Sequence, residues 1–230
     1  MRHFDMEMAD LKNRLMDMCR LVQEMIKTTI NGIVNRDSEL FDTVFSLENE
    51  VNIQQIVIDD KCLKLIALHQ PVSADLRFIT SAMKINSDLE RMGDEAVNIS
   101  KRAIDLIKYS EHKPVTDIPK MSDMVQQMVI DSIKAFNTTD VELAKAVLIK
   151  DDEVDDLQKR IFSVLKDLMI KSSDFETIQR ALDLMFITRS LERIGDHATN
   201  ISEDVIFMVH GKDVRHPRAH VFERSAEFRD

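Results

Sequence analysis

Residues 89–100 read Leu89-Glu-Arg-Met-Gly-Asp-Glu-Ala-Val-Asn-Ile-Ser100. The phrase returns 102 positions later as Leu191-Glu-Arg-Ile-Gly-Asp-His-Ala-Thr-Asn-Ile-Ser202, identical at nine of twelve positions. Each copy places two acidic residues four apart, Glu90/Asp94 and Glu192/Asp196, followed after four more by Asn98 or Asn200. On a helix this spacing sets three oxygen-bearing side chains in a row along one face. Two carboxylates at i and i+4 repel by a few tenths of a kcal/mol, so a repeated pair raises the question of which cation balances it. Each copy also carries an internal glycine, Gly93 and Gly195, out of only four in the chain. A mid-helix glycine costs about 1 kcal/mol against alanine. Its recurrence predicts close approach by a second helix or a ligand, with a packing notch as the plainer explanation.

The rest of the chain repeats with the phrase. Asp37-Ser-Glu-Leu40 aligns with Asp140-Val-Glu-Leu143, and Glu48 with Asp151. Phe4, Met8, Leu11, Leu15, Met18, Val22, Met25 and Thr29 step by alternating fours and threes, which predicts a long helix ending near Gly32. Asp37 is placed to cap a second helix that stops before Pro71, and Pro71 suits the first turn of a third reaching about Tyr109. Residues 110–120 carry two prolines and no apolar period, and read as a linker. A second triplet follows: Met121 to about Asn137; a helix opened by a capping box at Thr139-Asp-Val-Glu142 and running to about Ile170; and Phe175 to Val209, stopped by Gly211. The fold class expected is all-α, two tandem pseudo-symmetric three-helix bundles of six long antiparallel helices: residues 1–109, linker 110–120, residues 121–210 and a polar tail 211–230.

Composition agrees with a helical globular chain: 44% hydrophobic and 31% charged residues, with four Gly and four Pro among 230. A net charge of −10 argues against nonspecific nucleic-acid binding, which needs a basic surface. Cys19 and Cys62 form no CxxC or Cys/His cluster and read as buried thiols of a reducing compartment. The start lacks a signal-peptide pattern and no apolar run approaches a membrane span, so the expected location is the cytoplasm.

A second acidic pair lies on the middle helix of repeat two, Asp151 and Asp155; the aligned positions in repeat one are Glu48 and Asn52. An antiparallel bundle could face Glu48/Asn52 with Glu90/Asp94, and Asp151/Asp155 with Glu192/Asp196. Four oxygen donors from two helices suit a hard cation such as Mg, Mn, Ca or iron. Against this, Arg91 and Arg193 stand three residues before Asp94 and Asp196, where i,i+3 ion pairs would explain the acids without a metal. His197, which replaces Glu95 of the first copy, could add a ligand or be a plain surface residue.

These residues, together with Gln70-Pro-Val-Ser-Ala-Asp-Leu-Arg77 and Gly211-Lys-Asp-Val-Arg-His216, resemble the PhoU family of phosphate-uptake regulators over nearly the whole chain. The resemblance implies cytoplasmic twin three-helix bundles, often dimeric or larger, without catalytic activity. It implies negative regulation of the phosphate-starvation response by linking a phosphate ABC transporter, through its ATPase subunit, to a sensor histidine kinase, with membrane association only through those partners. Some members bind iron or zinc clusters through acidic E/D-xxx-D motifs, which map here to Glu90/Asp94, Glu192/Asp196 and Asp151/Asp155, the fourth being spoiled by Asn52. The competing class is a metal-dependent enzyme with a carboxylate-bridged centre in a helical bundle. The chain has no Glu-x-x-His, no Gly-rich phosphate loop and no G-x-S-x-G, which disfavours it.

Overall fold

A computed structural model describes residues 3–109 and 117–214. Among these residues the chain forms six helices and no strand: α1 His3–Asn35, α2 Glu39–His69, α3 Ser73–Leu106, α4 Asp117–Thr138, α5 Val141–Lys171 and α6 Phe175–His210. The alternating fours and threes of α1 become its buried stripe, Leu11, Leu15, Met18, Val22, Met25 and Thr29. α1 and α2 pack on α3, α4 and α5 pack on α6, and α3 lies against α6 in the most extensive helix pairing of the molecule. Most of the buried apolar residues form one contiguous cluster running through both triplets. Both cysteines are buried, and loss of solvent pushes each thiol up to about 12. No described helix is long and apolar enough to cross a membrane.

The helix ends differ from their sequence signals in instructive ways. α1 runs through Gly32 to Asn35 and is closed by Arg36, whose φ is 54° and whose guanidinium donates to the carbonyls of Ile107 and Tyr109. Gly32 therefore does not stop the helix. A Cβ there would sit 2.5 Å from Cε1 of the fully buried Phe41, so the glycine clears room for that ring. Ser38 is the N-cap of α2 but makes no side-chain cap bond; Asp37 Oδ1 instead accepts from the Glu39 amide at 3.0 Å. α3 begins at Ser73, two residues beyond Pro71, with no side-chain cap. α4 begins at Asp117, a turn before Met121. The N-cap of α5 is Asp140 rather than Thr139, its carboxylate accepting from the Leu143 amide at 3.0 Å. Asp174 does the same for α6, accepting from the Thr177 amide at 2.9 Å. The proline-bearing stretch and the tail fall largely on residues 110–116 and 215–230, which lie outside the described residues.

The internal glycines of the two motifs behave differently from Gly32. A Cβ on Gly93 would lie 3.5 Å from Met25 Cε and 3.6 Å from Val51 Cγ1, which is ordinary van der Waals contact. No close helix approach demands a glycine there. Gly93→Ala should therefore raise the melting temperature by roughly 2–4 °C through helix propensity. Gly32→Ala should cost about 1–3 kcal/mol by overpacking against Phe41. Thermal melts of the two variants check the contrast, and a Gly32→Ala protein as stable as the native one would contradict it.

Candidate metal ridges and the seam between repeats

The two acid ridges assemble from α2 with α3 and from α5 with α6. In repeat two, Asp151 and Asp155 of α5 meet Glu192 and Asp196 of α6. Burial lifts the Asp151 carboxyl to about 7, helped by the negative charges of Asp196 and Asp155. Burial likewise raises Glu192, with Asp196 and Asp155 adding to it, and raises Asp196, with Asp155 adding to it. In repeat one, burial raises Glu90 and Asp94; Asp94 adds to the first shift and Glu48 to both. Asn52 is half-buried on α2, one turn beyond Glu48. Folding thus sets Asp151, Asp155, Glu192 and Asp196 in electrostatic reach of one another, and Glu48 in reach of Glu90 and Asp94.

The arginines do not neutralise these acids. Arg193 Nη1 turns away from Asp196 to Glu95 Oε1 at 2.9 Å, across the repeat boundary. Among the described residues neither Asp94 nor Asp196 is within 4 Å of a basic nitrogen, so the i,i+3 ion pairs are not formed. The carboxylates press on one another with no bridging cation among the described residues. Moreover, Asp151 Oδ1 is buried without a hydrogen-bond partner, a costly arrangement for a carboxylate. Gly195 lies beside it, the oxygen being 3.7 Å from where a Cβ would stand. All-oxygen donors, excess negative charge and an orphaned buried oxygen fit a hard cation in repeat two. In their present rotamers, however, no three His, Cys, Asp or Glu side chains among the described residues converge into a metal-holding group.

The asparagines and His197 belong elsewhere. Asn98 Nδ2 donates to Glu95 Oε2 at 3.4 Å and Asn200 Nδ2 to Asp88 Oδ1 at 3.1 Å, so neither extends its ridge. His197 is neither an added ligand nor a plain surface residue. Its Nδ1 lies 2.8 Å from Asp88 Oδ1, with its side chain 15% exposed. These contacts belong to a polar seam where α3 meets α6. Lys84 pairs with the buried Asp204 at 3.2 Å, Arg102 with the buried Asp183 at 3.6 Å, Arg193 with Glu95, and His197 with Asp88. Each bond joins one repeat to the other. Sequence reasoning missed the seam, although a signal existed: Asp88, Asp183 and Asp204 each adjoin core positions at Leu89, Leu184 and Val205. Beside the seam a groove of about 520 Å3 is lined by Asp94, Asp196, Arg91, Arg193, His197 and Asn200, among others, so it borders both ridges.

A family described as "PhoU domain" matches the chain twice, at residues 15–103 and 118–205. A phosphate-specific transport system accessory protein PhoU homolog of Pseudomonas aeruginosa is 37% identical over 216 residues, covering 94% of this chain and 88% of the relative. A protein of the same description from Aquifex aeolicus is 38% identical, covering 91% and 94%. The crystal structure of PhoU from Pseudomonas aeruginosa superposes with a TM-score of 0.87 at 36% identity, over 91% of this chain and 100% of that one. The phosphate transport system regulatory protein PhoU from Streptococcus pneumoniae superposes with a TM-score of 0.83 at 27% identity, over 93% of this chain and 100% of that one.

Proposed function

The chain belongs to the PhoU family, and from that premise we propose that it regulates phosphate uptake as an accessory protein of a phosphate-specific transport system. The observation that carries this reading is the double family match, which takes in both copies of the Leu-Glu-Arg-x-Gly-Asp phrase, together with relatives aligned along almost their whole length. The relatives are named as transport accessory proteins, a regulatory family, and the chain is not an enzyme. Its finer role is that of a negative regulator of the starvation response, joining the ATPase subunit of a phosphate ABC transporter to a sensor histidine kinase in the cytoplasm, as a homodimer or larger assembly. The chain's net charge of −10 favours partners that present basic faces. Co-purification of the full chain with the transporter ATPase and with the kinase's cytoplasmic portion tests this. Both should be retained, with weakening at high salt; retention of neither would sink the adaptor role.

Metal binding forms part of the same proposal. Asp151, Asp155, Glu192 and Asp196 would hold an ion in repeat two, and Glu48, Asn52, Glu90 and Asp94 one in repeat one. Iron or zinc is implied by the family likeness, while Mg or Mn also matches the oxygen donors. A bound cation supplies the positive charge that the ridges lack. The donor sets are unequal, because Asn52 brings an oxygen but no charge where Asp155 brings both. Repeat one should therefore bind more weakly than repeat two. Titration of Asp94→Ala and Asp196→Ala proteins with metal should show the greater loss of affinity in Asp196→Ala; equal affinities would remove the distinction.

A further inference from the structure

Further along the seam a second groove, of about 440 Å3, opens between residues 95–105 of α3 and 186–193 of α6. Four cations line it, Lys101, Arg102, Arg189 and Arg193, in a chain whose net charge is −10. The carboxylates that line or adjoin the groove are each held in an ion pair. Glu95 holds Arg193 at 2.9 Å, Asp183 beside the groove holds Arg102 at 3.6 Å, and Asp105 holds Lys108, outside the lining, at 2.8 Å. Among the described residues Lys101 and Arg189 are left without an ion pair within 4 Å. They act on the acid ridges only through space, Lys101 on Asp94 and Arg189 on Glu192. Asn98 and Ser190 add neutral polar groups to the lining. Arg102 is further held 4.5 Å above the Phe186 ring, so its guanidinium is already ordered. A concave surface whose cations are not all held in ion pairs concentrates anions, and arginine forks match tetrahedral oxyanions in bidentate fashion.

We infer that this groove binds a phosphoryl dianion, either as free inorganic phosphate or as the terminal phosphate of a nucleotide. Lys101 and Arg189 contact the oxyanion, while Arg102 and Arg193, tied to Asp183 and Glu95, line the walls. The groove is roomier than one phosphate ion requires, so the nucleotide is a separate arm of the test. The inference does not rest on the regulatory reading, since it concerns the isolated chain and no transport or signalling partner.

The experiment is isothermal titration of purified, chelator-treated full-length protein at low ionic strength, first with inorganic phosphate and then with ATP. Chelation removes any metal that could capture phosphate on the acid ridges. At least one ligand should bind, and added salt should weaken it. Lys101→Ala/Arg189→Ala should bind at least roughly tenfold more weakly, the scale of a lost charge-assisted hydrogen bond. Both side chains are exposed, so the variant should keep the native melting profile. Lys159→Ala, on α5 outside the groove, should bind like the native protein. Phosphate binding assigns the free ion and ATP binding alone assigns the nucleotide. Binding of neither, or equal affinity in the double variant, overturns the site.

Discussion

Asp88→Ala is expected to destabilise the folded chain by about 2–4 kcal/mol and to lower its melting temperature by roughly 5–15 °C. Asp88 is 8% exposed and adjoins the core residue Leu89 on α3. Its Oδ1 accepts from His197 Nδ1 at 2.8 Å and from Asn200 Nδ2 at 3.1 Å, both on α6. Removing it strands two polar groups at the interface between the repeats, and the desolvation those groups have already undergone goes uncompensated. Asp88→Asn, which keeps an acceptor oxygen, should fall between native and Asp88→Ala. His197→Ala added to Asp88→Ala should cost less than His197→Ala alone, because the pair acts as a unit. An Asp88→Ala protein that melts with the native one would show that the seam contributes nothing to holding the repeats together.

The second large effect concerns charge in repeat two. The Asp151 carboxyl is lifted from the usual 3.8 to about 7 by burial and by Asp196, Asp155, Asp152 and Glu192. Between those values the folded chain holds a proton that the unfolded chain has released. Stability of the metal-free protein should therefore be highest below about pH 4 so far as this group is concerned, and should decline as pH rises toward 7. Above that the full cost of the buried charge persists. Asp151→Asn keeps the shape and removes the charge. It should flatten the decline and raise the melting temperature of chelated protein at pH 8 by roughly 2–6 °C. In native protein a bound cation should produce the same gain, whereas the Asn variant should respond less to metal. Parallel stability–pH curves for native and variant would show that the ridge carries no electrostatic strain.

Much of this was legible in the order of residues. The alternating fours and threes of α1 and the stops at Pro71 and Gly211 gave helices whose ends fall within a few positions of the observed ones, because local geometry and backbone restriction act over one or two turns. The paired acids four apart, duplicated at a fixed offset, gave the ridges. The reading of Gly32 as a stop failed because the reason for that residue is Phe41, nine positions on, whose ring folds back against α1. The reading of the motif glycines as close-approach sites gave way for the opposite reason: a Cβ on Gly93 would meet Met25 and Val51, and one on Gly195 would meet Met128 and Asp151, all at ordinary distances.

The sequence by itself determined that the chain is helical, that it is built twice from one plan, and that each copy carries an acid pair four residues apart. Such features repeat at 3.6 residues or at a fixed offset, and periodicity is a property of order alone. Only the tertiary structure decided where the other polar groups of those motifs go. A helix has several faces, and which neighbour each one meets depends on how the triplets dock. The docking of α3 on α6 sent Arg193 to Glu95 rather than Asp196, and set His197 and Asn200 on Asp88. It thereby left Asp94 and Asp196 without an ion pair among the described residues, while Lys101 and Arg189 remained unpaired there along the same helices.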